Sequence, residues 1–149
     1  NLITIENDEM GHGLDASLEL EKHLALVMDI HHHWIRDEEY IDPNDDRVKR
    51  VIDSWRGQRP TMHYSYSRDE HLAPANLGDK THTEMHDIKM LLERGCKKQK
   101  LRAHSDLLPN AKVNDWALSF GEHFDIQTEA KGKNMAAEQL YRQHLQNSI

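Results

Sequence analysis

The stretch Leu24-Ala25-Leu26-Val27-Met28-Asp29-Ile30-His31-His32-His33-Trp34 narrows the choice of fold more than any other in the chain. Five apolar residues in succession describe a strand buried on both faces, as in a parallel sheet covered by helices. The strand is expected over Leu24 to Ile30, and it closes on an acid and three imidazoles. Parallel strands that end in such residues deliver them to the mouth of an α/β barrel. Asp offers a hard oxygen and His a borderline nitrogen, a mixture that suits Mn, Fe or Zn better than Ca or Mg. A purification tag would sit at a terminus, whereas these histidines follow a core strand. Histidines packed or solvated at a strand end are the plainer reading of the stretch on its own.

The rest of the chain repeats the pattern. Leu2 to Ile5 read as a first strand, followed by Glu6-Asn7-Asp8-Glu9 and a loop released by Gly11 and Gly13. Glu6 is a candidate ligand, while Asp8 and Glu9 read equally well as solvated loop acids. A short helical stripe on Leu14, Leu18 and Leu20 leads to the second strand. Asp42-Pro43-Asn44-Asp45 is a helix-start signal, and a helix from about Asp45 to Ser54 carries Val48, Val51, Ile52 and Trp55 on one face. Thr61 to Ser67 alternate as a third strand, with Thr61, His63, Ser65 and Ser67 on one side.

Residues 68–101 form a polar excursion. Loop is expected around Pro74, Asn76 and Gly78, then a helix over Thr83 to Arg94, with His82 and His86 four residues apart. The run Lys97-Lys98-Gln99-Lys100 reads as a solvated helix end that complements the macrodipole, or less plainly as a phosphate contact. Ser105 or Asp106 is positioned to cap a helix from about Asn110 to Phe120. Phe124 to Thr128 read as a last strand, with Glu129, Lys131 and Lys133 following on one side of it. A closing helix spans Asn134 to Gln146. Strand and helix therefore alternate four times, which predicts an α/β fold with a parallel sheet. Four strand ends carry Glu6, Asp29 with its histidines, His63 and Glu129, and their agreement is stronger than any one of them.

Composition bounds the rest. With 149 residues the chain is expected to form a single domain over 1–149 with one core. It has no run of 18 or more apolar residues, so no membrane partner is expected. Cys96 is the only cysteine, which excludes an internal disulfide and a Cys-rich zinc site. A cytoplasmic location, nuclear in a eukaryote, is expected, and secretion is not. The opening at Asn1, directly before a strand, suggests that sequence upstream has been removed. A formal charge of -7 argues against a nonspecific polyanion binder, although cations held by some of the 26 acids and 12 histidines would reverse the local sign.

Leu2 to Glu9 (LITIENDE), Met28 to His33 (MDIHHH), Arg59 to Ser67 (RPTMHYSYS), Arg102 to Asp106 (RAHSD) and Asp125 to Lys133 (DIQTEAKGK) resemble, in order, the successive motifs of the UV damage endonuclease family. That family is similar in fold to the xylose isomerase and endonuclease IV barrels. The resemblance implies a (βα)4 half of a TIM barrel, strands five to eight of the family, with an insertion at about 68–101. It implies divalent ions, Mn2+ first and Zn2+, Mg2+ or Fe2+ otherwise, and a cut 5′ to a photolesion in double-stranded DNA. The residues that match the family's ligands are Glu6, Asp29, His32, His63, His104 and Glu129. His31 is the second choice to His32, because plain alternation pairs it with Asp29, and it is a candidate outer donor. Catalytic roles fall to Glu129, bridging ions, and to Lys131, with Lys133 as second choice, on a phosphate oxygen; a solvated loop is the plainer role for both lysines.

Three features depart from the family. Thr61 stands where the family has a metal-bridging lysine, residues 68–101 exceed the usual connection, and the first four strands are not represented. Two other readings therefore stand beside the nuclease: a sugar isomerase or epimerase of the same barrel group, and an inactive metal-binding or interaction relic. Half a barrel has two open edges, so self-association or pairing with a missing N-terminal half is expected.

Overall fold

The computed structural model describes residues 3–149, so Leu2, where the first strand was expected to start, lies outside the described residues. Four strands, β1 (Thr4–Glu6), β2 (Ala25–Asp29), β3 (Thr61–Tyr64) and β4 (Asp125–Thr128), form one sheet in the order β1-β2-β3-β4. Every pairing is parallel, as the alternation of strands and helices requires. The result is a half-barrel-like α/β fold.

The register sorts the sheet into two unlike faces. Glu6 pairs with Val27, Asp29 with His63 and His63 with Gln127, so these residues and Thr61 share one face. The other face carries Leu26, Met28, Met62, Tyr64 and Ile126, and the helices cover it. Met28 and Met62 are fully buried, and each such side chain contributes about 1.5–3 kcal/mol by leaving water. Tyr64 keeps its hydroxyl satisfied by donating to Asn114 Oδ1 at 2.7 Å.

Helices α1 (Leu14–Leu18) and α3 (Asp46–Asp53) flank β2. Asp45 caps α3 by accepting from the Arg47 N–H, close to the expected start. The end of α3 is fastened to β2: Ser54 Oγ accepts the Leu26 N–H at 3.0 Å and Trp55 Nε1 donates to Leu26 O at 2.8 Å. At the foot of β3, Arg59 donates to Asp125 Oδ1 and to the carbonyls of Gly121, Glu122 and Phe124, which fixes where β4 begins.

The expected second strand through Ile30 is one residue too long. Asp29 ends β2 and caps α2 (Ile30–Asp37), accepting the His32 N–H at 2.8 Å, so all three histidines lie on a helix. The third strand also stops early, at Tyr64, because Ser67 pairs with His104 in an isolated antiparallel bridge.

Between residues 68 and 101 the chain forms α4 (Asp69–Leu72), two 3-10 turns (Ala73–Ala75 and Gly78–Lys80), α5 (Ile88–Glu93) and α6 (Lys98–Leu101). The helix expected from Thr83 begins only at Ile88, because Asp87 accepts the Lys89 N–H and caps it. His82 and His86 accordingly do not share a helix face: His82 meets Asp69, and buried His86 meets the Thr81 carbonyl. The lysine run lies at the start of α6, where it opposes the macrodipole, and Lys98 pairs with Glu38 at 3.2 Å.

Helix α7 (Ala111–Leu118) is capped by neither Ser105 nor Asp106 but by Asn110, whose Oδ1 accepts the Val113 N–H. Asn110 is fully buried, and its Nδ2 also donates to Glu84 O at 2.7 Å. Helix α8 (Asn134–Asn147) seats Ala136 and Leu140 but leaves Met135, Tyr141 and Leu145 exposed.

Candidate metal centre

The polar ends of all four strands meet. Glu6, Asp29, His63 and Glu129 each place a ligand atom within 4.8 Å of the others. Each arrives for a local reason. Glu6 and Asp29 are the last residues of β1 and β2, and His63 is the paired neighbour of Asp29. Glu129 follows the last residue of β4, and its N–H donates to Tyr64 O at 2.8 Å, which extends the ladder by one rung.

The charges within this quartet are strongly coupled. His63 Nδ1 lies 2.9 Å from Glu6 Oε1 and 3.3 Å from Glu129 Oε1. The hydrogen bond to Glu6 raises the basicity of His63 above that of an ordinary imidazole, against the effect of burial. Burial works to raise the Glu6 carboxyl, yet the hydrogen bond and charge of His63 prevail and hold it below its usual range. Asp29 has no access to solvent, and burial, reinforced by the charges of Glu6 and Glu129, pushes its carboxyl well above the usual range.

Whether these residues fit a cation is tested by the acids themselves. Asp29 Oδ2 and Glu9 Oε2 are buried and have no hydrogen-bond partner. Buried carboxylate oxygens without donors cost several kcal/mol unless a proton or a cation neutralises them. Three carboxylates and one imidazole make an oxygen-rich set of the kind that holds Mn2+, with Zn2+, Fe2+ and Mg2+ also compatible. The donor set fits a divalent ion.

His32 lies beside the quartet rather than in it. Its Nδ1 is 2.8 Å from Asn7 O and its Nε2 is 3.2 Å from Glu9 Oε2. Asn7 and Glu9 were not singled out as site residues. The Asn7 side chain donates to Asp29 O at 2.9 Å and accepts the Asp29 N–H at 2.8 Å, replacing a ladder rung between β1 and β2. Glu9, read from sequence as an equally plausible solvated acid, is only 5% exposed. The turn that His12 O and the Asp8 N–H close beneath it has no periodic signature in the sequence.

His104 belongs to neither of the two ligand groups found among the described residues, Glu6-Asp29-His63-Glu129 and Asp8-Glu9-His32. It lines an open groove with Arg102, Glu129, Ala130 and Lys131, and burial keeps it less basic than a free histidine. His31 is turned inward, with Nε2 3.0 Å from Ser67 Oγ, and burial drives its basicity down to about 3. It stacks on Trp34 and meets His104 edge-on, so it is neither a member of the quartet nor hydrogen-bonded to it.

Lys131 is exposed at the groove, and Lys133 is exposed at the start of α8. The loop bearing Lys131 is held by its N–H to Ser105 O and by the Gly132 N–H to Asp106 O. A Cβ on Gly132 would stand 2.5 Å from Asp106 O, so only glycine permits this approach.

The family described as UV-endonuclease UvdE matches residues 1–148 of the chain. No curated protein and no solved structure matches it. Among the described residues no helix is long and apolar enough to cross a membrane.

Proposed function

The chain belongs to the UvdE family of UV endonucleases, which places it in DNA repair and implies DNA binding; from this premise we propose that it carries the divalent-metal centre that cuts the phosphodiester 5′ to a lesion. The observation that supports this reading is the convergence of Glu6, Asp29, His63 and Glu129, one from each of four strand ends, within 4.8 Å.

Glu6, Asp29, His63 and Glu129 would hold the ion, Mn2+ by preference. A bound divalent cation supplies a Lewis acid for the phosphate and an activated water. The chain's own groups do the rest. Glu6 accepts the proton on His63 Nδ1, so a cation held by His63 would compete with that proton and would be held more firmly as pH rises through the raised His63 value. Lys131, in the groove beside Glu129, would hold a non-bridging phosphate oxygen, while Arg102 in the same groove is paired with Glu9. A lysine there favours a phosphodiester over the neutral sugar of an isomerase. Thr61, two residues before His63 on the same face of β3, adds a hydroxyl and no further charge.

A supercoiled plasmid, irradiated or not, tests the reading. Nicking that requires irradiation and Mn2+, that stops with a chelator and that leaves an end mapping 5′ to the lesion is expected. Equal nicking of both plasmids, or incision unaffected by chelation, refutes it.

The two open sheet edges, β1 and β4, also favour self-association or pairing with another half. Sedimentation velocity over a concentration series is expected to show a species heavier than 17.4 kDa. A monomer at every concentration counts against self-association.

A further inference from the structure

We propose that α6, at the end of the 68–101 insertion, is a contact for the DNA backbone, with Lys97 and Lys100 holding phosphates of the duplex that flanks the groove beside Glu129. The proposal rests on the DNA reading above and adds a surface to it.

The distribution of charge carries the inference. Between Glu93 and Asp106 the chain has Arg94, Lys97, Lys98, Lys100 and Arg102 and no acid, in a protein whose formal charge is -7. Other lysines of the insertion are interleaved with acids: Lys80 follows Asp79, and Lys89 lies two residues from Asp87. Complementing the macrodipole, the use expected of the run at a helix end, is removed by the fold. Lys97 and Lys98 begin α6 and so stand at the wrong pole. Internal contacts account for part of the run. Lys98 pairs with Glu38 at 3.2 Å and donates to Arg36 O at 3.2 Å, Arg94 donates to Ala75 O, and Arg102 holds Glu9. Lys97 and Lys100 are exposed and meet no carboxylate among the described residues.

The fold turns this pair outward and fixes it beside the groove. Leu101 is fully buried and Lys98 reaches α2, so one side of α6 is committed to the protein. Lys97 and Lys100, three residues apart, lie together on another. Helix α6 ends on Arg102, which lines the groove with His104, Glu129, Ala130 and Lys131. From Lys97 to Arg102 a helix rises about 7.5 Å, or about two steps of 3.4 Å along a DNA strand. A backbone seated in the groove therefore brings its next phosphates alongside α6. The occupant is a polymer rather than a single small anion. Two hydrated ammonium groups hold a small anion weakly, whereas a duplex releases a condensed counterion for each phosphate they neutralise.

An undamaged labelled duplex, which the proposed activity leaves uncut, tests the contact by fluorescence anisotropy in Mn2+ over a salt series. Lys97→Gln combined with Lys100→Gln is expected to weaken binding about tenfold or more at low salt. It should also lower the slope of log affinity against log salt by about 2, one for each phosphate contact. Lys80→Gln combined with Lys89→Gln removes the same charge elsewhere on the insertion and is expected to leave the slope unchanged. Equal slopes in the two double variants overturn the contact, and the nuclease reading then stands or falls on plasmid nicking alone. A slope lowered only by the α6 pair, with no nicking of irradiated plasmid, keeps the contact and refutes the nuclease. A wild type that binds no duplex overturns both. Polyglutamate that displaces the duplex as readily as unlabelled DNA does would assign the surface to an acidic polypeptide and overturn the DNA contact.

Discussion

Replacing Glu129 with Gln is expected to lower incision of irradiated DNA by about a thousand-fold, about 4 kcal/mol of transition-state stabilisation, while the protein stays folded. Gln preserves the size of the side chain and one oxygen but removes the charge that stands 3.3 Å from His63 Nδ1. It also removes one of three negative groups from a centre that must balance two positive charges. The backbone of residue 129 is independently held by Tyr64 O, and the side chain is not part of the apolar core, so the fold has no reason to follow. Incision by Glu129→Gln within tenfold of wild type, with circular dichroism unchanged, would remove Glu129 from the catalytic centre.

Asp29→Asn should do the opposite to stability: in chelator at neutral pH it is expected to stabilise the chain by about 2 kcal/mol, or about 6 °C in melting temperature. Asn keeps the oxygen that accepts the His32 N–H and replaces the unpartnered Oδ2 with a donor facing acids. The sign follows from the raised carboxyl of Asp29. A group whose folded value lies above its unfolded one adds stability that is fully present below the unfolded value, 3.8, and is lost as pH rises through the folded one. The advantage of Asn is therefore absent at pH 3 and grows as pH rises. Saturating Mn2+ should reverse the ranking, because the native wild type gains the ion's binding energy and the variant forfeits a ligand. Melting curves at several pH values, with and without Mn2+, check this. A variant less stable than wild type in chelator at pH 7 would show that Asp29 is not strained in the bare site.

The sheet was readable because its signals are local. Runs such as Leu24 to Met28 and Thr61 to Tyr64 are apolar or alternating over their full length, and the four strand ends that the sequence singled out are the four that meet. Helix α2 was not readable as a helix, because Ile30, Trp34 and Ile35 continue the apolar character of β2 with no glycine or proline between. Only the Asp29 cap marks the boundary, and an acid before histidines reads as a ligand first. The same helix makes sense of the spacing of Asp29 and His32: three residues from a capping position is where a helix returns to its own cap. Asn7 and Glu9 were hidden for another reason. Their roles depend on contacts with residues 20 or more positions away, Asp29, His32 and Arg102, and no periodicity reports such contacts. The helix expected from Thr83 failed because apolar spacing located the stripe on Ile88 and Leu91 but not the aspartate that begins it.

The two-faced sheet has an evolutionary consequence. Met28, Met62 and Tyr64 commit one face to cohesion, while Glu6, Asp29, His63 and Glu129 crowd the other with groups that contribute little to it. Selection can then act on the two faces almost independently. Substitutions on the ligand side can change the ion, the substrate or the presence of any chemistry without disturbing the hydrocarbon beneath, and loss of catalysis would leave a protein that still folds. The architecture tolerates the decay of its activity and offers a ready framework on which another could arise.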